Sequence, residues 1–388
     1  MKRILLASPI LASLALACGG NPPPESATPT ETKAVAQPSA TAPAPTTEAS
    51  AAPAKPELTP EEKKKEEAKK ALAEDRAKWK ADQDKELARF TPELRAAVKA
   101  LVEKAQPSGK AAIQAAMAGK HRKPASVERD AARHPVETLE AFGFKPNMTV
   151  LEISPGEGWY VELLAPALAK NGKLLVTNGD PNGPEDERST FYAQRTKGFL
   201  EALPEAYGKV ETITVDGKAP KLPHDGKLDM VLLMRGLHGW VNAKTADAWL
   251  AEVWATLKPG GVFGIEEHRA KPDAVAEESA KKGYVPEKWA IEKIEAAGFK
   301  LAKQSDVNAN PKDTKDHPEG VWTLPPTYRL GDKDRAKYAA IGESDRMTLK
   351  FVKVAKKDEK GAKKEEAPKP ASTKPADKPA GGKDGAVK

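Results

Sequence analysis

Residues 149–160 read Thr149-Val150-Leu151-Glu152-Ile153-Ser154-Pro155-Gly156-Glu157-Gly158-Trp159-Tyr160. A run of β-favouring residues enters a turn with two glycines, and a helical pattern over 160–170 follows. A strand, a glycine turn and a helix at the C-terminal edge of a first strand mark the ligand-binding edge of a doubly wound sheet. Gly156 and Gly158 let the backbone approach a ligand without a Cβ in the way. Glu152 is unusual, because it places an acid inside the strand.

The same alternation continues downstream. Strands are expected over 173–177, 210–215, 228–234, 261–266, 299–304 and 347–354. Helices are expected over 191–206, 246–257 and 286–297. Strands alternating with helices imply an α/β fold, an open and mostly parallel sheet with helices on both faces. Upstream, Thr59-Pro60-Glu61-Glu62 and Thr91-Pro92-Glu93 carry helix-start signals. The helix between them is highly charged, which predicts a solvated or loosely docked element. Leu94, Ala97, Val98, Leu101 and Val102 then form an apolar stripe.

Glu152 separates two ligand classes. A dinucleotide fold brings a pyrophosphate to the helix N-terminus, wants G-x-G-x-x-G and gains nothing from an acid there. A fold that binds a cationic sulfonium nucleoside can use a carboxylate near the ammonium group. Val150-Leu151-Glu152-x-x-x-Gly156-x-Gly158 resembles motif I of class I S-adenosylmethionine-dependent methyltransferases. The longer run through Tyr160 is similar to one family of predicted bacterial methyltransferases with a P-G-G-G-W-Y-type motif. Arg129-Asp130-x-x-Arg133-x-Pro135, Met234-Arg235-Gly236-Leu237-His238, Lys258-Pro259-Gly260-Gly261, Glu267-His268-Arg269 and Asp345-Arg346-Met347 match that family in order. The resemblance covers about residues 121–354. It implies a Rossmann-like sheet with a late antiparallel strand, and S-adenosyl-L-methionine as cofactor.

Site roles follow from the resemblance by position. Glu152, Gly156 and Gly158 would face the methionine part of the cofactor. Asn178 stands near the place of the usual ribose-binding acid, with Asp180 two residues on. Asp216 takes the adenine-contacting place or is an exposed turn residue. Trp159 and Tyr160 either line the cofactor pocket or pack in the core. Arg235 and His238 follow the fourth strand, where methyl acceptors dock, and His238 is a general base or a structural histidine. His268, with Glu267, either orients a base or joins a satisfied polar cluster. Family members usually carry Asn and Asp where Gly236 and Gly239 stand, which points to a changed substrate or lost activity. His121 and His134 read as surface residues. His224 and His317 sit in Pro/Asp-rich loops without a constellation.

The chain has 388 residues, a net charge of +7, six His and one Cys. No disulfide framework is possible, and no spacing suits zinc. The charge is uneven: +6 over 55–123, −3 over 124–354 and +4 over 355–388. The domain that carries the motifs is thus mildly acidic, which disfavours nucleic acid. Lys2-Arg3, an apolar stretch and Cys18 resemble a bacterial lipoprotein signal with Cys18 as the lipidated residue. Ala15-x-Ala17 would also suit ordinary signal cleavage, the lesser of the two readings. The expected order is signal 1–17, disordered tether 18–58, helical segment 59–120, methyltransferase-like domain 121–354 and disordered tail 355–388. The expected place is the cell envelope, membrane-anchored through Cys18. Two functions remain open: methyl transfer to a small molecule or envelope component, and ligand or partner binding without catalysis. A nicotinamide-dependent oxidoreductase fits poorly, because the glycine spacing is wrong.

Overall fold

The computed structural model describes residues 59–223 and 225–354. The expected signal, Cys18, the expected tether, His224 and the expected tail lie outside the described residues.

Helix α1 (Pro60–Arg89) begins with the expected capping box: Thr59 Oγ1 accepts from Glu62 N at 3.3 Å, and Thr59 N donates to Glu62 at 2.8 Å. Helices α2 (Pro92–Glu103) and α3 (Gly109–Met117) follow, capped by Thr91 and Ser108. Short helices α4 (Pro124–Val127) and α5 (Asp130–Arg133) lead into α6 (Pro135–Phe142). The alternating part runs β1 (Thr149–Ile153), α7 (Val161–Leu168), β2 (Lys173–Asn178), α8 (Arg188–Ala202), α9 (Pro204–Tyr207) and β3 (Glu211–Thr214). It continues with β4 (Leu228–Met234), α10 (Leu237–Asn242), α11 (Ala246–Thr256), β5 (Leu257–His268), α12 (Ala276–Ser279) and α13 (Glu287–Ala296). It closes with β6 (Phe299–Ser305), α14 (Arg335–Ile341) and β7 (Arg346–Lys353).

The strands form one sheet in the order β3-β2-β1-β4-β5-β7-β6. β1 to β5 pair in parallel, and β7 runs antiparallel between β5 and β6. This is the class I methyltransferase, Rossmann-like arrangement that the resemblance implies. The order reverses between β1 and β4, so the switch point lies beyond Ile153 and Met234.

Several boundaries shift by a residue or two, and two differ by more for local reasons. The helix expected over 191–206 is divided between α8 and α9. Pro204 pushes the residue before it, Leu203, out of the helical region to φ −138° and ψ 78°. β5 starts at Leu257 rather than 261, because Leu257 pairs with Leu228 across a register shift before the regular ladder begins.

Both faces of the sheet are covered, as a parallel sheet requires. Val150 belongs to one core with Leu163, Leu164, Leu232 and Met230. Leu151 belongs to the other, with Leu233, Trp249, Phe263 and Val285. The first core also takes Val98 and Val102 of α2 and Ile113 of α3. These helices are therefore part of the folded core. α1 buries only Leu72 and is held to α8 by polar contacts: Asp75 to Arg188 at 2.6 Å, and Arg76 to Gln194 at 2.5 Å. Among the described residues no helix is long and apolar enough to cross a membrane.

Ile113 is 1% exposed within the shared core, whereas Leu87 on α1 is 42% exposed. Ile113→Ala should cost about 3 kcal/mol in urea unfolding of the full chain. Leu87→Ala should leave stability within about 0.5 kcal/mol.

Candidate functional site

The carboxyl edge of the sheet gathers buried charge. Pleating sends neighbouring side chains to opposite faces, and this sorts two adjacent acids on β5. Glu266 goes to the α7 side. Its Oε2 accepts from the Tyr160 hydroxyl at 2.9 Å, and its Oε1 accepts from Arg235 Nη1 at 3.0 Å. Arg346 Nε lies 3.2 Å from the same oxygen as an ion pair, at an angle unsuited to a hydrogen bond. Glu267 goes to the α10 side. It accepts from His238 N at 3.1 Å and meets His238 Nδ1 at 3.0 Å.

A second layer supports the first. Glu343 takes Arg346 at 2.5 Å and both Arg129 and Arg133 at 3.2 Å. The lead-in arginines thus meet the last strand through one buried acid. Isolated buried charges are costly, and here each arginine of the set has a carboxylate.

Glu152 is the exception. It is 2% exposed at the end of β1, and its Oε2 has no hydrogen-bond partner. Burial pushes its carboxyl up to about 8, while the nearby Arg235 charge pulls the other way. The turn beyond it holds Gly156 at φ +60°, with nothing within 4 Å of where a Cβ would stand. Gly158, at φ +83°, is required sterically: a Cβ there would lie 2.4 Å from the Phe199 ring. Two non-glycine residues also adopt left-handed backbone, Ser154 after β1 at φ 53° and Arg235 after β4 at φ 59°. Each costs on the order of 1–2 kcal/mol. Both lie at the switch point, where such strain accompanies function.

His238 and His268 come together, with ring centres 5.8 Å apart. Burial alone would push His238 down, but the Glu267 carboxylate and its hydrogen bond outweigh this and hold it above the ordinary imidazole value. The opposing His238 charge in turn holds Glu267 below the usual carboxylate range despite its burial. His268 is driven well below the ordinary value by burial, so it is neutral near pH 7, and its Nδ1 meets Ser344 Oγ at 2.5 Å. Glu267 and His238 form a dyad in which the acid orients the ring. No described residue hydrogen-bonds His238 Nε2.

The remaining expected residues separate. Trp159 packs in the core, donating to Ser126 O at 2.8 Å beneath the Arg133 guanidinium. Asn178 uses its amide on Ala193 O at 3.0 Å. Asp180 and Asp216 each accept from a backbone N–H two residues on, at 2.8 Å, in turns beyond β2 and β3. These two acids lie on the site edge of the sheet.

Two histidine readings are corrected. His121 is buried, bonded to Glu162 O at 2.7 Å and pushed down to about 4, chiefly by burial. His317 does belong to a constellation, with Asp313 at 2.8 Å and Tyr284 on the same acid. The α7 helix that covers His121 is distant in sequence, whereas Asp313 stands only four residues before His317 and Tyr284 joins it from further off. Glu266, Glu343 and Arg346 carry the site and were not singled out for a role. An acid directly after the apolar run Phe263-Gly264-Ile265, still inside the expected strand, was the available signal for Glu266. Among the described residues no group of three or more His, Cys, Asp or Glu could hold a metal ion.

No protein-family model matches the chain. Two sterol 24-C-methyltransferases of Gibberella zeae are similar to it. One is 31% identical over 138 residues, covering 35% of this chain and 32% of that protein. The other is 26% identical over 206 residues, covering 49% of each. The chain thus spans between a third and a half of the length of these curated relatives. A SAM-dependent methyltransferase from Aquifex aeolicus is 17% identical, covers 60% of this chain and 94% of its own, and gives a TM-score of 0.37. The Burkholderia thailandensis 1,6-didemethyltoxoflavin-N1-methyltransferase, solved with S-adenosylhomocysteine, is 15% identical, covers 59% and 80%, and gives 0.37.

Glu152 holds its proton in the folded chain up to about pH 8, whereas an unfolded Glu releases it near its ordinary 4.5. Its contribution is therefore fully present below about pH 4.5 and is lost as pH rises to about 8. Glu152→Gln keeps the shape without the charge. Its melting temperature should match the parent at pH 5 and exceed it by several degrees at pH 8.5. His238 should titrate above about 6.5 in histidine ring NMR, and Glu267→Gln should move it down.

Proposed function

We propose that residues 121–354 bind S-adenosylmethionine and transfer its methyl group to a small acceptor or an envelope component. The observation that carries this reading is the unpartnered, buried Glu152 oxygen beside the open Gly156 turn at the switch point. A buried carboxylate without a partner is costly, and the ammonium of a bound amino-acid moiety would supply that partner. The residues present thus fit the methionine end of the cofactor. Gly156 and Gly158 would allow close backbone approach, and Tyr160 is held in place by Glu266. Asp180 and Asp216 stand at the edge where ribose and adenine would lie, while Asn178 is already engaged.

When bound, the cofactor would supply a methyl group activated by its positive sulfur. The protein then needs mainly to position the acceptor and to receive a proton. His238 is the base in this reading. Glu267 holds its Nδ1, leaving Nε2 to take the proton an acceptor loses. His268 and Trp322 flank it, the latter ring 5.9 Å away.

A second reading has its own support. Arg235 places a guanidinium beside Glu152, and Asn178 is occupied, so the fold could hold a ligand without transfer. The resemblance of the N-terminus to an export signal supports the same reading, since S-adenosylmethionine is made in the cytosol. We place the chain in the envelope, anchored through Cys18. Palmitate labelling that persists in Cys18→Ala would overturn the anchor.

Isothermal titration of the full chain with S-adenosylhomocysteine should give a micromolar dissociation constant. Glu152→Ala should weaken it at least about tenfold, near 1.4 kcal/mol. No heat at about 1 mM ligand would sink the cofactor assignment. Binding that persists unchanged in both Glu152→Ala and Asp216→Ala would move the cofactor elsewhere.

A further inference from the structure

α1 and α8 enclose a cavity of about 620 Å³ that reaches Gly156 and Glu157 of the turn after β1. That volume suits a small organic molecule. Its walls combine aromatic rings with charged side chains. Trp79 of α1 meets Phe191 of α8 edge-on, with ring centres 6.0 Å apart. Phe199 lies 4.6 Å from Tyr207, and Tyr192 stays 51% exposed at the mouth.

The charges lining the cavity are unevenly matched. Asp75 is paired with Arg188, Asp82 with Lys85, Glu86 with Arg89 and Glu157 with Arg195. Lys78 and Lys123 also line it, and among the described residues neither has a carboxylate within ion-pair distance. Lys123 Nζ instead lies over the Phe199 ring, 4.8 Å from its centre. Glu157 and Glu162 act on Lys123 only from beyond contact distance, so the charge left without a contact ion pair is positive and sits against an aromatic face.

We propose that this cavity is a second small-molecule site, which takes a flat aromatic molecule bearing an acidic group. The ring system would lie among Trp79, Phe191 and Phe199, and the acid would meet Lys123. A charge-assisted contact at a partly desolvated lysine is strong enough to select acids over neutral analogues. Because Gly156 and Glu157 belong to both places, occupancy of the cavity and of the cofactor turn should be coupled. The coupling rests on the cofactor reading above; the site itself does not.

The test is a fluorescence titration of the full chain with 8-anilinonaphthalene-1-sulfonate and with the uncharged N-phenyl-1-naphthylamine. The sulfonate should bind saturably and at least about tenfold more tightly, the size of one charged contact. Lys123→Gln should abolish that difference, Lys123→Arg should retain it, and Phe199→Ala should weaken both probes. Circular dichroism melting curves check that each variant is folded. Equal binding of the two probes, or sulfonate binding unchanged in Lys123→Gln, would overturn the site. With S-adenosylhomocysteine in excess, the sulfonate constant should shift at least about twofold. An unchanged constant with the nucleoside bound overturns the coupling. Absent nucleoside binding with an intact sulfonate site overturns the cofactor reading and not the cavity.

Discussion

The Glu266 carboxylate is the interaction on which the site depends. It is fully buried, and it ties together Tyr160 at the head of α7, Arg235 beyond β4 and Arg346 at the start of β7. An ion of this kind is tolerated only where partners surround it. Its partners come from elements that meet only in the finished sheet. The antiparallel β7 is what makes this possible, since it brings Arg346 opposite His268 in the ladder. Glu343 then extends the pairing to Arg129 and Arg133, so the N-terminal lead-in is tied to the last strand.

Three acids at one sheet edge have three different environments. Glu266 is surrounded by donors and serves the architecture. Glu267, next to it in sequence, faces the other way and meets a histidine, so it can tune a base. Glu152 is equally buried but keeps an oxygen without a donor. The difference between them lies in partners rather than burial, and the one unsatisfied group is the one on which the proposed cofactor site rests. The left-handed backbone at Ser154 and Arg235 belongs to the same economy of strain: the cost of these turns falls where β1 and β4 diverge.

Much of the fold was legible because its signals are local. Leu228–Met234 is apolar from Met230 on, as a strand buried on both faces must be, and the glycines after β1 announce a turn. The parts that were not legible are non-local. His121 looks like a surface residue in a basic stretch, yet α7 covers it. Trp159 stands beside the glycine turn in sequence, but the indole N–H found Ser126 O and the ring turned into the core. The charged α1 carries almost no apolar face, so periodicity alone could not show that it lies along α8.

The sequence by itself determined the alternation of strands and helices, the glycine turn, the caps and the acid at the end of β1. These depend on residues a few positions apart, whose preferences act within one turn or one strand. Only the tertiary structure decided which acids are paired, which histidine faces which carboxylate and what α1 encloses. Those outcomes depend on strand order and pleat, which bring residues such as Arg133 and Glu343 together across most of the domain. Burial then acts on whatever partners that geometry supplies, and so it separates charges that are fully paired from the Glu152 carboxyl, which keeps an oxygen without a donor.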